Sequence, residues 1–430
     1  MRKIYLYIKK RLPNFLYRIV WLIKNYSDIN KCNEKYNSKI NEIRNSNKPI
    51  RVIFLIIMES VWKYESLYRL MENDEKFEPL ILICPQISLN SDEKIRNQID
   101  RIYDNLSSKR YNIKKSYNDN GYIDLTELNP DIIMFTNPYE HITLEKYNIH
   151  SIKNNDFLTC YTSYFYPKGI KNYHRILSIF ESRLWINFVV SKDELKNIIY
   201  RRNCFISGYP LFDRFNSNND SKTHCISWKI KDNKIKKIIY APYHMLQSNK
   251  MGVQVSTFLK YSDFMLELAS KFRDKIQIAF KPHPLLRIAL ENHPDWGKEK
   301  TDSYYDKWSN NINTSYVSGD YIDLFNTSDA IIHDCGSFLI EYLYEKKSAL
   351  YLTDGNHLYN IGKVGREAFD CYQIATNKED IENFVIEVIQ GTDTRLVKKE
   401  SYYNKYLLPP NNLSVSENMF NYIKTKLGIL

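Results

Sequence analysis

The residues best placed to do chemistry stand at the ends of apolar runs. Lys281-Pro282-His283-Pro284 follows the run Ile276–Phe280 directly. The two prolines fix the backbone and exclude a helix through His283. The imidazole is therefore held where the run ends, able to donate to a phosphate or a leaving oxygen, with Lys281 and Arg287 as nearby cations. A histidine satisfied by carbonyls in a rigid turn is the plainer alternative. His333-Asp334-Cys335-Gly336-Ser337 joins another run to a helical pattern. Gly336 permits a tight turn and close ligand approach. Ser337 stands at a helix start, where free N–H groups and the helix dipole favour an anion. Simple N-capping by Asp334 or Ser337 would use the same residues. Glu341 shares a face with Ser337 and could accept from a ribose diol or merely be solvated. Tyr240-Ala241-Pro242-Tyr243-His244 ends a third run, and Ser207-Gly208-Tyr209-Pro210-Leu211-Phe212-Asp213 is turn-like. Glu59, beside Trp62, is the first charged residue after Arg51–Met58. It is either a general base for an acceptor hydroxyl or a helix-start carboxylate favoured by the dipole.

These residues need elements to present them. Arg51–Met58, Phe77–Cys84 and Asp131–Phe135 are predicted strands, with helical spacing over Ser60–Glu72 and Asp92–Leu106 between them. Phe157–Phe165 and Trp185–Val190 extend the series. After a polar break the pattern restarts: strands at Lys237–Ala241, Ile276–Phe280, Ala330–His333 and Ala349–Leu352, helices at Thr257–Phe272, Ser337–Tyr344 and Lys378–Gln390. Strands alternating with helices predict parallel sheets with crossover connections. In such an architecture ligands bind at the carboxyl ends of strands, in the cleft between domains.

Composition narrows the class. With 430 residues, 43% apolar and 26% charged, the chain is long enough for two or three domains and too apolar to be disordered. No run of 18 uncharged apolar residues exists, so no membrane-spanning helix is predicted. Residues 1–50 carry +9 of the formal net charge of +11, which leaves the body nearly neutral and argues against nucleic acid as a partner. Residues 1–25 interleave Lys and Arg with Leu, Ile, Phe and Trp, interrupted by Pro13. Such a basic amphipathic segment suits an anionic membrane surface, or a helix packed on the body with its charges solvated. Residues 31–49, rich in Asn and Lys, read as a linker. The seven cysteines form no CxxC pair, which fits a reducing cytosol without disulfides or a zinc site.

Taken in order, these motifs resemble the CDP-glycerol glycerophosphotransferase family of teichoic-acid and capsule enzymes. Gly208-Tyr209-Pro210 with Asp213 matches the family's Gly-Tyr-Pro-Arg-Asn-Asp, and Tyr240-Ala241-Pro242 its Tyr-Ala-Pro-Thr. Lys281, His283 and Pro284 match its Lys-x-His-Pro, and Asp334 with Ser337 its Asp-Tyr-Ser-Ser. The family's His-Gly in the first domain has no counterpart: Cys160-Tyr161-Thr162-Ser163-Tyr164 holds no histidine. The donor half thus resembles the family more closely than the acceptor half.

The resemblance implies an α/β, GT-B-like fold: two Rossmann-type parallel-sheet domains facing a cleft, preceded by the basic amphipathic segment. The expected division is 1–49 for that segment and linker, 50–225 for an acceptor domain, and 226–410 for a nucleotide-donor domain. Residues 411–430 would form a helix packing back on the first domain. The implied activity moves glycerol phosphate or a related polyol phosphate from a CDP-activated donor to a lipid-linked or polymeric saccharide acceptor. The enzyme would be cytoplasmic, peripheral on the inner face of the membrane. Lys281, Arg287, Pro242, His244, Asp334, Gly336, Ser337 and Glu341 are the nucleotide and phosphate candidates. His283 is a catalytic candidate on the leaving phosphate, with Glu59 and then His141 as base. No Asp-x-Asp metal triad and no cofactor is expected. Two alternatives stand beside this reading: a GT-B glycosyltransferase using a CMP-, UDP- or GDP-sugar, and an inactive scaffold.

Overall fold

The structure is a computed structural model that describes residues 14–89, 91–168, 173–216, 228–247, 256–355, 358 and 361–430. The first half of the basic amino-terminal segment, 1–13, and Cys225 lie outside the described residues. The described residues form two compact units. One comprises 14–167, 173–213 and 409–430; the other comprises Lys168 and 214–408. The chain thus leaves the first unit after Asp213 and returns to it at Pro409, where the sequence reading places the joints at 225/226 and 410/411.

The first unit is built on strands β1 (Ile50–Ile56), β2 (Phe77–Ile83), β3 (Ile113–Lys115), β4 (Ile132–Phe135), β5 (Leu158–Thr162), β6 (Ile186–Val189) and β7 (Cys204–Ile206). They pair in parallel in the order β3-β2-β1-β4-β5-β6-β7. Strand β1 explains why its run is continuously apolar. Val52, Phe54 and Ile56 enter one core cluster while Ile53 and Leu55 enter another, so both faces of the sheet are covered. The second unit repeats the plan with β8 (Lys236–Ala241), β9 (Ile276–Phe280), β10 (Thr314–Tyr316), β11 (Ala330–His333), β12 (Ser348–Leu352) and β13 (Gln373–Ala375). Their order is β10-β9-β8-β11-β12-β13, again all parallel. In each sheet the winding reverses beside the first strand, between β1 and β4 and between β8 and β11. Loops leaving the carboxyl ends of those strands diverge and leave room for a ligand.

Three features differ from the sequence reading. Residues 31–44 are not a linker but the second half of one helix, Asn14–Arg44. Its stripe of Cys32, Tyr36, Ile40 and Ile43 is buried in the first unit's core, a helical period carried by only four apolar residues among Asn and Lys. The predicted helix Ser60–Glu72 is shorter: a 3-10 turn at Glu59–Val61, then Glu65–Glu72. The predicted helix Ser337–Tyr344 is one α-turn, Phe338–Glu341, running into a 3-10 turn.

The Gly208-to-Asp213 motif is an anchor for the last helix, Val415–Leu427. Both carboxylate oxygens of buried Asp213 accept from its first amides, Val415 N and Ser416 N, at 2.8 Å each. Gly208 has φ +97°, and a Cβ there would stand 2.8 Å from Val415 Cγ2. Asp213→Ala would leave those helix-start amides unsatisfied in the interior. The expected cost is about 2 kcal/mol of unfolding free energy. Urea denaturation of the two proteins would measure it, and an unchanged midpoint would refute the anchor role.

Candidate active site

In the second unit the candidate residues gather where the sheet order reverses. The ladder between β8 and β9 continues past the strands: Lys281 N–H donates to Tyr240 O at 2.8 Å, and His283 N–H to Pro242 O at 3.0 Å. Alternate amides of an extended chain point to the same side. The prolines at 282 and 284 therefore remove donors only from the side facing away from β8. This is why Lys-Pro-His-Pro extends the strand instead of breaking it, and why Lys281 and His283 sit at its carboxyl edge.

Lys281 is only 5% exposed. Its ammonium has no hydrogen bond or ion pair among the described residues. Burial pulls its pKa down to about 8, against the opposing charges of Asp320 and Cys335. His283 accepts from Leu285 N–H through Nδ1 at 3.2 Å, so its neutral ring carries the proton on Nε2. Burial, with the positive charges of His244 and Lys281, pushes its pKa down to about 3. His283 is thus a neutral donor at physiological pH, not an imidazolium. The His244 ring stacks on it at 4.0 Å between centroids, and Tyr243 meets it edge-on at 5.3 Å. Burial lowers the His244 pKa too, and its Nδ1 is buried without a partner among the described residues.

The loop after β11 divides its labour. Asp334 is held by the protein: its Oδ1 accepts from Tyr243 N at 2.5 Å, and its Oδ2 from Ser256 Oγ at 2.9 Å and from Thr257 N and Oγ1 at 2.6 and 2.9 Å. It clips the loop after β8 and the start of helix Phe258–Lys271 to β11. His333, fully buried, makes a 3.0 Å contact to Cys335 O through Nδ1. Its pKa is held at about 3 by burial, so the neutral ring donates there and fixes the turn. Ser337 is exposed and its hydroxyl makes no cap. Glu341 is buried, and one oxygen accepts from Tyr321 OH at 2.5 Å.

Arg287 does not join the group. Its helix turns it to Glu291 (3.3 Å) and Asp302 (2.5 Å), and its guanidinium lies 5.0 Å from the Tyr305 ring centroid. Two contributors carry no local sequence signal. Tyr321 holds Glu341, and Lys168 donates to Gly336 O at 2.5 Å. Gly336 itself has an ordinary φ; its need for glycine is space, since a Cβ would stand 2.6 Å from Lys168 Nζ.

In the first unit, Glu59 follows β1 at the equivalent reversal. It is half-buried and accepts from Asn105 Nδ2 at 3.3 Å. His141, in the loop after β4, is exposed, 6.0 Å from the Tyr139 ring centroid. The same strand ends enclose a small concavity lined by Ile57, Thr136, Asn137, Tyr139 and Thr143. The Thr143 hydroxyl is buried without a partner among the described residues.

Two such parallel sheets, each with a winding reversal beside its first strand, are the GT-B fold. Solved structures agree on the fold. The wall teichoic acid polymerase TagF is 16% identical, with a TM-score of 0.57 over 96% of this chain and 98% of that one. A TagF variant soaked with CDPG compares equally, at 15% identity and a TM-score of 0.57, over the same 96% and 98%. MnaA of S. aureus with UDP is 14% identical, with a TM-score of 0.54 over 89% of this chain and 98% of that chain. No curated protein matches the chain. Residues 185–405, more than half of it, match the family described as CDP-glycerol:poly(glycerophosphate) glycerophosphotransferase. The chain belongs to that family, and is a transferase.

Proposed function

We propose that this chain transfers glycerol phosphate, or a related polyol phosphate, from a CDP-activated donor to a membrane-associated saccharide acceptor. The observation that carries this reading is Lys281, a nearly buried lysine whose ammonium is unpaired among the described residues, on the same strand edge as the Nε2–H of His283 and within the region of the family match. A largely desolvated cation without an ion-pair partner is costly, on the order of several kcal/mol, and a phosphate of the donor would supply that partner. Lys281 and His283 hold donor phosphate. Glu341, oriented by Tyr321, receives the ribose diol, and Pro242 and His244 line the nucleotide. Asp334 and His333 act by fixing the loops.

In the reaction the acceptor oxygen attacks the phosphorus of the glycerol phosphate. The bond from that phosphorus to the bridging oxygen breaks, and its electron pair leaves with CMP. Cations and N–H donors on the phosphates stabilise the charge that builds there. The acceptor proton passes to a base. Glu59 takes this role on its position after β1, with His141 as second candidate; the unpartnered Thr143 hydroxyl is a further polar contact for an acceptor.

The membrane association rests on helix Asn14–Arg44. Tyr17 and Trp21 are buried, whereas Phe15, Ile19, Ile23 and Tyr26 form an exposed stripe at helical spacing, Ile23 being 74% exposed. No helix among the described residues is long and apolar enough to cross a membrane. Ile19→Asp with Ile23→Asp is expected to abolish flotation with phosphatidylglycerol vesicles; retained flotation would remove this stripe from the account.

Calorimetry with CMP, CDP, CDP-glycerol, UDP and GDP tests the donor. Tightest binding of CDP-glycerol, lost in His283→Ala, is expected. CMP binding with no gain from CDP-glycerol would point to a CMP-sugar, preference for UDP or GDP to another sugar nucleotide, and no binding to a scaffold.

A further inference from the structure

Lys168 lies in the sequence between β5 and β6, yet it packs with the second unit. Its seat is made by glycines. Gly362 N–H donates to Lys168 O at 3.2 Å, and a Cβ on Gly365 would stand 3.2 Å from that same oxygen. At the other end Gly336, lacking a side chain, lets Nζ reach its carbonyl at 2.5 Å. An ammonium has three donors, and Gly336 O is the single acceptor Lys168 finds among the described residues. No carboxylate lies within ion-pair distance of it among those residues. Burial lowers its pKa, with Cys335 and Glu341 opposing, and its charge is felt at His333.

Lys168 and Lys281 thus come from different elements. Lys168 sits on Gly336, in the turn that leads into Phe338–Glu341 and so to Glu341, the ribose candidate, whereas Lys281 stands on the β9 edge that also carries His283. In a nucleoside diphosphate donor the phosphate next to the ribose is the one retained by the leaving group. We propose that Lys168 is a catalytic cation of this transferase, binding the nucleotide's own phosphate and neutralising the charge that the breaking bond delivers to it, while Lys281 and His283 hold the phosphate that is transferred. The inference rests on the nucleotide-donor reading above.

The test compares CMP and CDP binding by calorimetry in the wild type, Lys168→Met, Gly336→Ala and Lys281→Met, with circular dichroism to confirm folding. Lys168→Met is expected to weaken CMP and CDP alike, by about tenfold to a hundredfold. Gly336→Ala, which displaces Nζ from the opposite side without touching the charge, is expected to do the same, and the two changes together to lose no more than Lys168→Met alone. Lys281→Met is expected to weaken CDP far more than CMP. Unchanged CMP binding in folded Lys168→Met would overturn the proposal, as would a loss confined to CDP. If the wild type prefers another base, the cytidine assignment fails, and the same comparison with that base's mono- and diphosphate still decides the role of Lys168. No nucleotide binding by the wild type would overturn both.

Discussion

Lys281→Met should weaken CDP binding by about a hundredfold and leave a folded protein. Removing the ammonium takes away a charge-assisted contact that nothing else at the β9 edge replaces, since Arg287 is committed to Glu291 and Asp302. The substitution also relieves an unpaired buried charge, so stability should hold or rise, which separates loss of binding from loss of fold. The pH dependence follows from a Lys281 pKa of about 8. Below pH 8 the cation is present before the ligand arrives. Above it, binding must first take up a proton, so affinity should fall with rising pH, by at most about tenfold per unit. Lys281→Arg should flatten that fall, because a guanidinium keeps its proton. Calorimetry between pH 6.5 and 9.5 reads all three proteins. A Lys281→Met protein that binds CDP like the wild type would take Lys281 out of the site.

Glu59→Gln should lower kcat for transfer by about 100- to 10,000-fold while donor affinity stays the same. The amide keeps the shape and the contact to Asn105 but cannot accept the acceptor's proton. His141→Ala should retain most activity, because an exposed ring beside Tyr139 is not held toward any reacting atom by the protein. Initial rates at saturating donor, with the nucleotide Kd measured separately, make the distinction. Full activity in Glu59→Gln with loss in His141→Ala would move the base to His141. Full activity in both would place the base elsewhere in the first unit.

Much of this arrangement could be read from local pattern. The strand Ile50–Ile56 is buried on both faces, so Val52–Ile56 is an unbroken apolar run, and Leu80–Ile83, Ile238–Ala241 and Ile278–Phe280 are shorter apolar runs of the same kind. Lys-Pro-His-Pro is legible because proline restricts the backbone at every step. The three-residue strands Ile113–Lys115, Thr314–Tyr316 and Gln373–Ala375 were not, because so few residues show no period. Helix 31–44 was hidden by its Asn and Lys, which face solvent around a narrow buried stripe.

The site was harder to read where a role depends on a distant partner. Asp334 and Ser337 look alike in sequence, as polar residues at a helix start. Only the approach of Tyr243, Ser256 and Thr257 makes Asp334 a clip. Arg287 has the right spacing from His283, but acids on its own and a neighbouring helix take its guanidinium. Asp213 gains its meaning from a helix 202 residues further on, and Lys168 from a glycine 168 residues away. Such contacts leave no periodic trace.

The most direct test of the central claim is transfer itself. The protein would be incubated with CDP-glycerol labelled in the glycerol and a lipid-linked saccharide extract, and both CMP and labelled lipid-linked product counted. The account expects them to appear in equal amounts, with both abolished in His283→Ala. Label that stays with the nucleotide, while a labelled sugar nucleotide does transfer its sugar to the same extract, would contradict it.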